Sequence, residues 1–358
     1  MNALALGIAA IERGLVPDIL TRRAIRRLCW QRLRETGRQL AHHDATEHTE
    51  FLASLRTGPI APVPHLANQQ HYELPADFFA AILGPHRKYS CCYFPRVGAT
   101  LAEAEEAALA LTCQHADISD GQDILELGCG WGSLALYMAN RFPQSRVTAV
   151  SNSHSQRTYI LSQARSRGLS NLQVITADMN DFSPGHEKFD RVVSVEMFEH
   201  MRNFDRLLER IATWLTPGGK LFVHIFCHRQ HAYPFESTGT ANWMGRHFFT
   251  GGIMPSVDLL KQFDRDMVVQ RQYEWNGRHY QQTAEAWLAN LDGRRRHIEP
   301  VLASVYGTDL ARVWLNRWRM FFLAVSELFG FAEGREWFVG HYVLEHASTA
   351  RLVKSCKA

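Results

Sequence analysis

The sequence predicts an α/β protein with a mainly parallel sheet, a helical cap ahead of that sheet, and an aromatic insertion after its fifth strand. Three observations predict it. From Gly121 onward short apolar runs alternate with helix-length stretches, the pattern of parallel strands joined by right-handed crossovers. A glycine-rich turn, Gly128-Cys129-Gly130-Trp131-Gly132, follows the first of those runs. After His228 the alternation stops, and a long stretch rich in aromatic residues and glycine takes over. At a strand's carboxyl end such a segment reads as a lid or substrate wall, because its aromatic content argues against disorder.

The elements follow in order. Residues 3–36 read as one or two helices, with Pro17 opening the second. Residues 37–68 are polar, His-rich and punctuated by proline, as a flexible connection would be. A short aromatic helix lies in "ELPADFFAAIL" and a loop in "GPHRKYSCCYF". Thr100 caps the next helix, with Glu103 as its capping-box partner. Strands are expected at 123–128, 146–151, 172–178, 189–196 and 216–226, and helices at Trp131–Phe142, Ser153–Arg167 and Phe198–Leu215. Beyond the insertion come helices from Ser256, from Thr283 and from Thr308 to Leu328, then a closing strand near Trp337–Leu344. This divides the chain into an N-terminal helical extension and linker (1–68), a helical cap contributing to the site (69–120), and a core (121–358) with its lid insertion at 227–335.

Composition narrows the partners. The chain has 358 residues and 46% apolar side chains, enough for a sizeable core. A net charge of only +3, with dispersed basic residues, gives no footprint for nucleic acid. Arg22, Arg23, Arg26, Arg27 and Arg32 make one basic helix, which reads as a solvated face rather than a contact with an anionic membrane. No signal peptide or membrane span is visible: "ALALGIAAI" is too short and Glu12-Arg13 interrupt it. Seven cysteines without framework spacing argue for reduced thiols in the cytoplasm. Cys91, Cys92, Cys227, His228 and His231 match no zinc spacing, so no metal is expected. The expected partner is a small molecule, without stable membrane association; a homodimer is compatible with the sequence.

Two stretches carry chemistry. The glycine loop is spaced G-x-G-x-G, not G-x-G-x-x-G, so a dinucleotide pyrophosphate is not its natural ligand. Glu126, inside the strand before it, suits a cationic portion of a ligand. "VEMFEHMRNF" (195–204) places Glu196, Glu199 and His200 at i, i+3 and i+4, one face if helical. It lies at the carboxyl end of the fourth strand, where open α/β sheets bind ligands.

"DILELGCGWG" resembles motif I of the S-adenosylmethionine (SAM) dependent methyltransferases. That resemblance implies a Rossmann-like class I sheet, SAM as cofactor and S-adenosylhomocysteine (SAH) as product. It implies that the loop with Gly128, Gly130 and Gly132 holds the methionyl part, and that Tyr89, Ser90 and Glu126 are further cofactor-binding positions. Many such enzymes end the second strand with an acidic residue for the ribose; "AVSNSHSQ" offers Ser151, Asn152 and Gln156 instead. Asp178 and Met179 fall where the family meets adenine. The departure at the second strand resembles the branch containing cyclopropane fatty-acid synthases and coclaurine-type N-methyltransferases. "KYSCCYF", "VEMFEHMRNF", "FVHIFCHRQHAYPFE", "FFTGGIMPS", "HYQQTAEAWL" and "GREWFVGHY" extend the likeness to the N-methyltransferases over nearly the whole chain, residues 37–68 excepted.

Within that branch, cyclopropane synthases carry a small residue where Glu196 stands. They bind bicarbonate through residues matching Cys91, Glu199, His224 and Tyr280, so those four do not separate the activities; bicarbonate stays open here without being favoured. An extra carboxylate suits an ammonium substrate. The expected chemistry is therefore N-methylation of a small aryl-alkyl or benzylisoquinoline-like amine. His200 would act as general base while Glu196 and Glu199 orient the amine. Tyr89, Tyr233, Phe249, Trp337 and Phe338 are the expected aromatic walls, with His224 and Tyr280 also facing substrate. Methylene transfer to an unsaturated lipid, or methyl transfer to a thiol, is the alternative. A non-catalytic SAM-binding protein would have no use for the base triplet.

Overall fold

The structure is a computed structural model and describes residues 3–41, 45–63 and 74–349. Ahead of the sheet come α1 (Ala3–Glu12), α2 (Asp18–Ala41), α3 (Ala45–Ser54), α4 (Ala76–Ile82) and α5 (Leu101–His115). The alternation then runs β1 (Asp123–Leu127), α6 (Ser133–Arg141), β2 (Arg146–Ser151), α7 (His154–Ser166), β3 (Leu172–Thr176), β4 (Phe189–Val195), α8 (Phe204–Trp214) and β5 (Leu215–His228). A short ribbon, β6 (Tyr233–Pro234) against β7 (Ile253–Met254), encloses α9 (Trp243–His247). Then follow β8 (Met267–Trp275), α10 (Arg278–Gly293), α11 (Arg295–Tyr306), α12 (Thr308–Phe329) and β9 (Trp337–His346). The sheet order is β3-β2-β1-β4-β5-β9-β8. β1 to β5 pair in parallel, whereas β9 is antiparallel to both β5 and β8.

Alternation along each strand gives the sheet two buried faces. Leu125, Leu127, Val192, Leu221 and Val223 pack on one side with Phe204, Leu207 and Ile211 of α8. Ile124, Val147, Val193, Phe222 and Val343 pack on the other with α5, α6 and α7. A third cluster joins α4 to α10 and α12 through Phe78, Phe79, Trp287, Trp318, Phe321 and Phe322, all at or near zero exposure. That aromatic wall roofs the carboxyl ends of the parallel strands. The Thr100 capping box forms as expected, with Glu103 N donating to Thr100 Oγ1 and Thr100 N to Glu103 Oε2 at 2.7 Å.

Several expectations are corrected. The helix expected from Phe198 is a single 3-10 turn, Phe198–His200, and α8 begins only at Phe204 with Asn203 as its cap. From Ser256 there is likewise only one 3-10 turn, Leu259–Gln262, before the unforeseen strand β8. β8 escaped notice because this edge strand, "MVVQRQYEW", alternates with polar residues and lacks an apolar run. Part of the expected connection 37–68 is ordered structure. It holds α3, then Leu55, Ile60 and Ala61 buried against the core. Asn180 clasps the backbone of Ala61 in both directions, and Arg202 N donates to Ile60 O. The tract 64–73, including Tyr72 and Glu73 of "YELPADFF", lies outside the described residues.

The basic helix α2 keeps Arg23, Arg26 and Arg27 exposed, as a solvated face would, but docks through Arg22 and the tip of Arg26. Arg22 meets Glu285 at 2.5 Å and Glu327 at 2.8 Å, and Arg26 also pairs with Glu327, which is buried. Arg319 joins Asp18 and Asp292, and Glu12 accepts from Arg317 and Trp243. Among the described residues no helix is long and apolar enough to cross a membrane.

Candidate active site

The glycine loop turns sharply out of β1. Gly128, Gly130 and Gly132 all have positive φ, at +78°, +52° and +76°, where a Cβ is strained. Around Gly130 there is open space, because the loop borders a cleft with two lobes. One lobe, about 760 Å³ with its mouth, is lined by Ser151, Asn152, Gln156, Met179, His200 and Thr250 among others. The other, about 530 Å³, is lined by Lys88, Tyr89, Ser90, Thr112, Glu126 and Ser133 among others. Gly128, Gly130 and Glu196 border both lobes. These volumes lie in the ordinary range for a ligand of cofactor size.

The lining fits the expected cofactor by its unspent polarity. Glu126 Oε2, Ser133 Oγ, Thr112 Oγ1 and Gln156 Nε2 are buried without a protein partner, a state that costs free energy unless a ligand satisfies them. Burial pushes Glu126 up to about 8, offset by a hydrogen bond from the Ala135 backbone and by Lys88. A ligand ammonium beside it would reverse that shift. Ser151 Oγ bonds Gln156 Oε1 at 2.6 Å and holds that amide in place. Asp178 stands between two lining residues, Ala177 and Met179, and its Oδ1 accepts from Asn180 N at 2.7 Å. These are the residues that would hold SAM, whose ammonium, carboxylate and hydroxyl groups are of the kind the orphaned atoms can bond.

At the junction of the lobes stands Glu196. Its backbone is left-handed, φ +48°, immediately after β4. Its Oε1 accepts from Cys91 N at 2.9 Å and lies 3.2 Å from His224 Nε2, while its Oε2 accepts from Tyr280 OH at 2.7 Å. Burial raises its proton affinity above the ordinary glutamate value; Lys88, the Cys91 and Tyr280 hydrogen bonds and His200 pull the other way. Glu199 is 1% exposed with Oε2 unpartnered. Burial first, and the nearby Glu196 charge second, hold it well above the usual carboxylate range. His200 stacks on Phe249 with ring centroids 6.0 Å apart and planes at 8°. Burial and Arg202 push its imidazole down to about 4. The three groups converge through a tight turn rather than along one helix face.

The aromatic expectations divide. Tyr89 borders the cofactor lobe, packed between Phe79 and Trp287. Phe249 flanks His200. Trp337 is fully buried and donates from Nε1 to Tyr233 OH at 3.1 Å. Phe338 is a correction. Successive strand residues point to opposite faces, so Phe338 packs with Cys227 and Val257 away from Trp337, under the Arg229 guanidinium. Sequence reading missed Lys88, whose Nζ donates to Ser90 Oγ and Cys91 O at 2.6 Å each. It also missed Glu105, a buried carboxylate that gathers the backbone N–H groups of Gly84, His86 and Lys88 and so shapes this loop. Ala61 and Val63 were missed as lining residues too. Among the described residues no three His, Cys, Asp or Glu side chains are grouped to hold a metal.

Comparison with known proteins follows the same lines. Residues 64–329 match the family described as mycolic acid cyclopropane synthetase. The (S)-coclaurine N-methyltransferase of Thalictrum flavum subsp. glaucum is 37% identical over 94% of both chains. A crystal structure of coclaurine N-methyltransferase bound to N-methylheliamine and SAH superposes with a TM-score of 0.90. It is 36% identical and covers 96% of this chain and 100% of that one. The mycolic acid cyclopropane synthase CmaA1, complexed with SAH and CTAB, shares the fold at a TM-score of 0.65. It is 22% identical over 78% of this chain and 98% of its own.

Proposed function

The chain belongs to the mycolic acid cyclopropane synthetase family and is a SAM-dependent methyltransferase, and within that family we propose that it methylates the nitrogen of a small amine, of the aryl-alkyl or benzylisoquinoline kind. The observation that carries this reading is the buried pair Glu196 and Glu199, each held toward its protonated form by loss of water. Lys88 offsets only part of that cost at Glu196, and an arriving ammonium supplies a further counter-charge, letting the carboxylates ionise. Two relatives are named as N-methyltransferases of (S)-coclaurine, so their acceptor is a nitrogen.

SAM, when bound, supplies a methyl group on a sulfonium. Everything else falls to the chain. An ammonium has no lone pair to receive a methyl, so its proton must leave first. His200, the base expected from sequence, holds a proton weakly at about 4, whereas Glu196 binds one more tightly than an ordinary glutamate. In our reading Glu196 and Glu199 take the proton, and His200, neutral at physiological pH, keeps the amine oriented. Tyr280 and the Cys91 N–H fix the Glu196 carboxylate in place. The aromatic residues around the cleft suit both a flat ring and a cationic nitrogen.

Bicarbonate chemistry is disfavoured because three of the groups the resemblance assigns to that ion are already spent. The Cys91 N–H, His224 and Tyr280 all engage the Glu196 carboxylate. We place the reaction in the cytoplasm, since the six cysteines described are all free and buried. Labelled SAM offered with aryl-alkyl amines, thiols and unsaturated phospholipid vesicles tests the function. Transfer to amines is expected, and transfer to lipid alone overturns it.

A further inference from the structure

A row of histidines leaves the site through the sheet. His224 on β5 lies directly across from His341 on β9 in the antiparallel register, and Tyr273 on β8 pairs with His341. His224 Nδ1 is 2.8 Å from His341 Nε2, and His341 Nδ1 is 2.8 Å from His115 Nδ1 at the end of α5. His224 and His341 are fully buried, whereas His115 is half-buried and stacks on Tyr273 at 3.9 Å. With the 3.2 Å contact from Glu196 Oε1 to His224 Nε2, the row is continuous from the carboxylate to the protein surface. Nothing in the reaction as derived so far uses His341 or His115.

We propose that His224, His341 and His115 form a proton path by which Glu196 exchanges its proton with solvent while the cleft is filled, so that His341 and His115 are positioning residues acting on Glu196 through His224. The path rests on the reading of Glu196 as the acceptor of the amine proton. The shift balances with one proton per hydrogen bond. The Glu196 carboxyl proton moves to His224 Nε2, the His224 Nδ1 proton to His341 Nε2, the His341 Nδ1 proton to His115 Nδ1, and the His115 Nε2 proton to water. What remains is a carboxylate, a proton on water and three neutral imidazoles in their other tautomers. The reverse shift reprotonates Glu196, and the rings must regain their first tautomers, by turning over or by exchange with solvent, before the row carries a second proton outward.

The surroundings suit neutral rings. Burial holds all three below the ordinary histidine value; Lys88 and His115 add to this at His224, and His224, His115 and Lys88 at His341. At His115 the second contribution is Arg271 of β8, itself paired with Asp117, which also bonds Lys220 of β5. Trp275 packs against both inner rings and Phe222 against His341. Lys88 and Glu196 are thus the charged groups facing the inner end, and Arg271 with Asp117 those facing the outer end.

The test uses the full chain. His115→Ala, shown folded by SAH binding, is expected to lose roughly tenfold in kcat with KM unchanged, less than the roughly 10²–10⁴-fold of a group that itself takes the substrate proton, because His115 stands at the far end of the row. Added imidazole should restore the rate without altering wild type, since a diffusible base can take the vacated place. His115→Gln, which keeps a side-chain hydrogen-bonding group but cannot relay a proton, should be as slow as the alanine variant. An unchanged kcat, or a loss that imidazole does not restore, overturns the path. A readout without any acceptor separates this from the amine reading. In ring-¹⁵N spectra, Glu196→Ala should lower the pH at which His115 gains its second proton, and in a His341→Phe or His341→Gln background that shift should vanish. Identical His115 titration with and without Glu196 overturns the path even if wild type proves to methylate something other than an amine. Failure of the wild-type enzyme on every amine, with the coupling intact, sinks only the functional reading.

Discussion

Glu196 occupies a left-handed backbone position, which costs a side chain on the order of 1–2 kcal/mol, and it is held there by three hydrogen-bond partners. Its replacement tests its role directly. Glu196→Gln should lower kcat about a hundredfold and more than His200→Ala does, measured at neutral pH. The pH profile carries a second signature. Both glutamates have raised proton affinity, so their charged form exists only above the ordinary 4.5, and activity should rise with pH beyond it. Without the Glu196 charge, Glu199 is raised less, and in Glu196→Gln that rising limb should move to lower pH. His200 makes a stability prediction. Above pH 6.5 it is neutral folded or unfolded and contributes no pH dependence. Below that, the unfolded chain takes the proton first, so folding loses about 1.4 kcal/mol per pH unit from this residue until about pH 4. Urea unfolding at pH 6.5 and 5 should show a smaller loss in His200→Phe than in wild type. The titratable triplet and the glycine loop were legible in the sequence because local spacing encodes them. His341 and His115 were not. They stand 117 and 226 positions from their histidine partners; pairing of β5 with β9 brings His341 to His224, and packing of the end of α5 on the sheet brings His115 to His341.

At the level of elements, the turn after β1 separates two glycines by what surrounds them. A Cβ on Gly132 would come within 2.6 Å of Ile160 Cγ1, whereas one on Gly130 meets nothing within 4 Å. Gly132→Ala should therefore fail to fold or melt far lower. Gly130→Ala should fold with a loss of about 1–2 kcal/mol from its left-handed backbone yet lose the SAH-induced rise in melting temperature, because the added methyl faces the cleft. The parallel strands β1 to β5 were legible as apolar runs because both their faces are buried. The turn Phe198–His200 was not, because the i, i+3, i+4 spacing that suggests a helix serves equally in a tight loop held by tertiary contacts. A three-residue 3-10 turn places Glu199 and His200 inward while α8 starts later on its own cap.

Across the whole molecule, the N-terminal helices are fastened to the aromatic layer by ion pairs as well as by the apolar contacts of Ile8, Ile11, Ile25, Cys29 and Leu33. Arg22→Ala would leave Glu327 buried with half of its partners gone, at a cost of about 3 kcal/mol in urea denaturation. Adding Glu327→Gln should recover part of that loss. The sheet order has a consequence for how the chain folds. β9, the last strand in sequence, separates β5 from β8, so the earlier pair has no partner of its own on that side until β9 arrives. During synthesis on the ribosome β5 would present a long unpaired edge, one prone to join a neighbouring nascent chain. The closing step joins segments more than a hundred residues apart, a slow, high-contact-order event. The interval before β9 is made is thus an aggregation-prone one, and a chaperone holding β5 and β8 apart from other chains would raise the yield of folded enzyme more than one acting on the N-terminal helices.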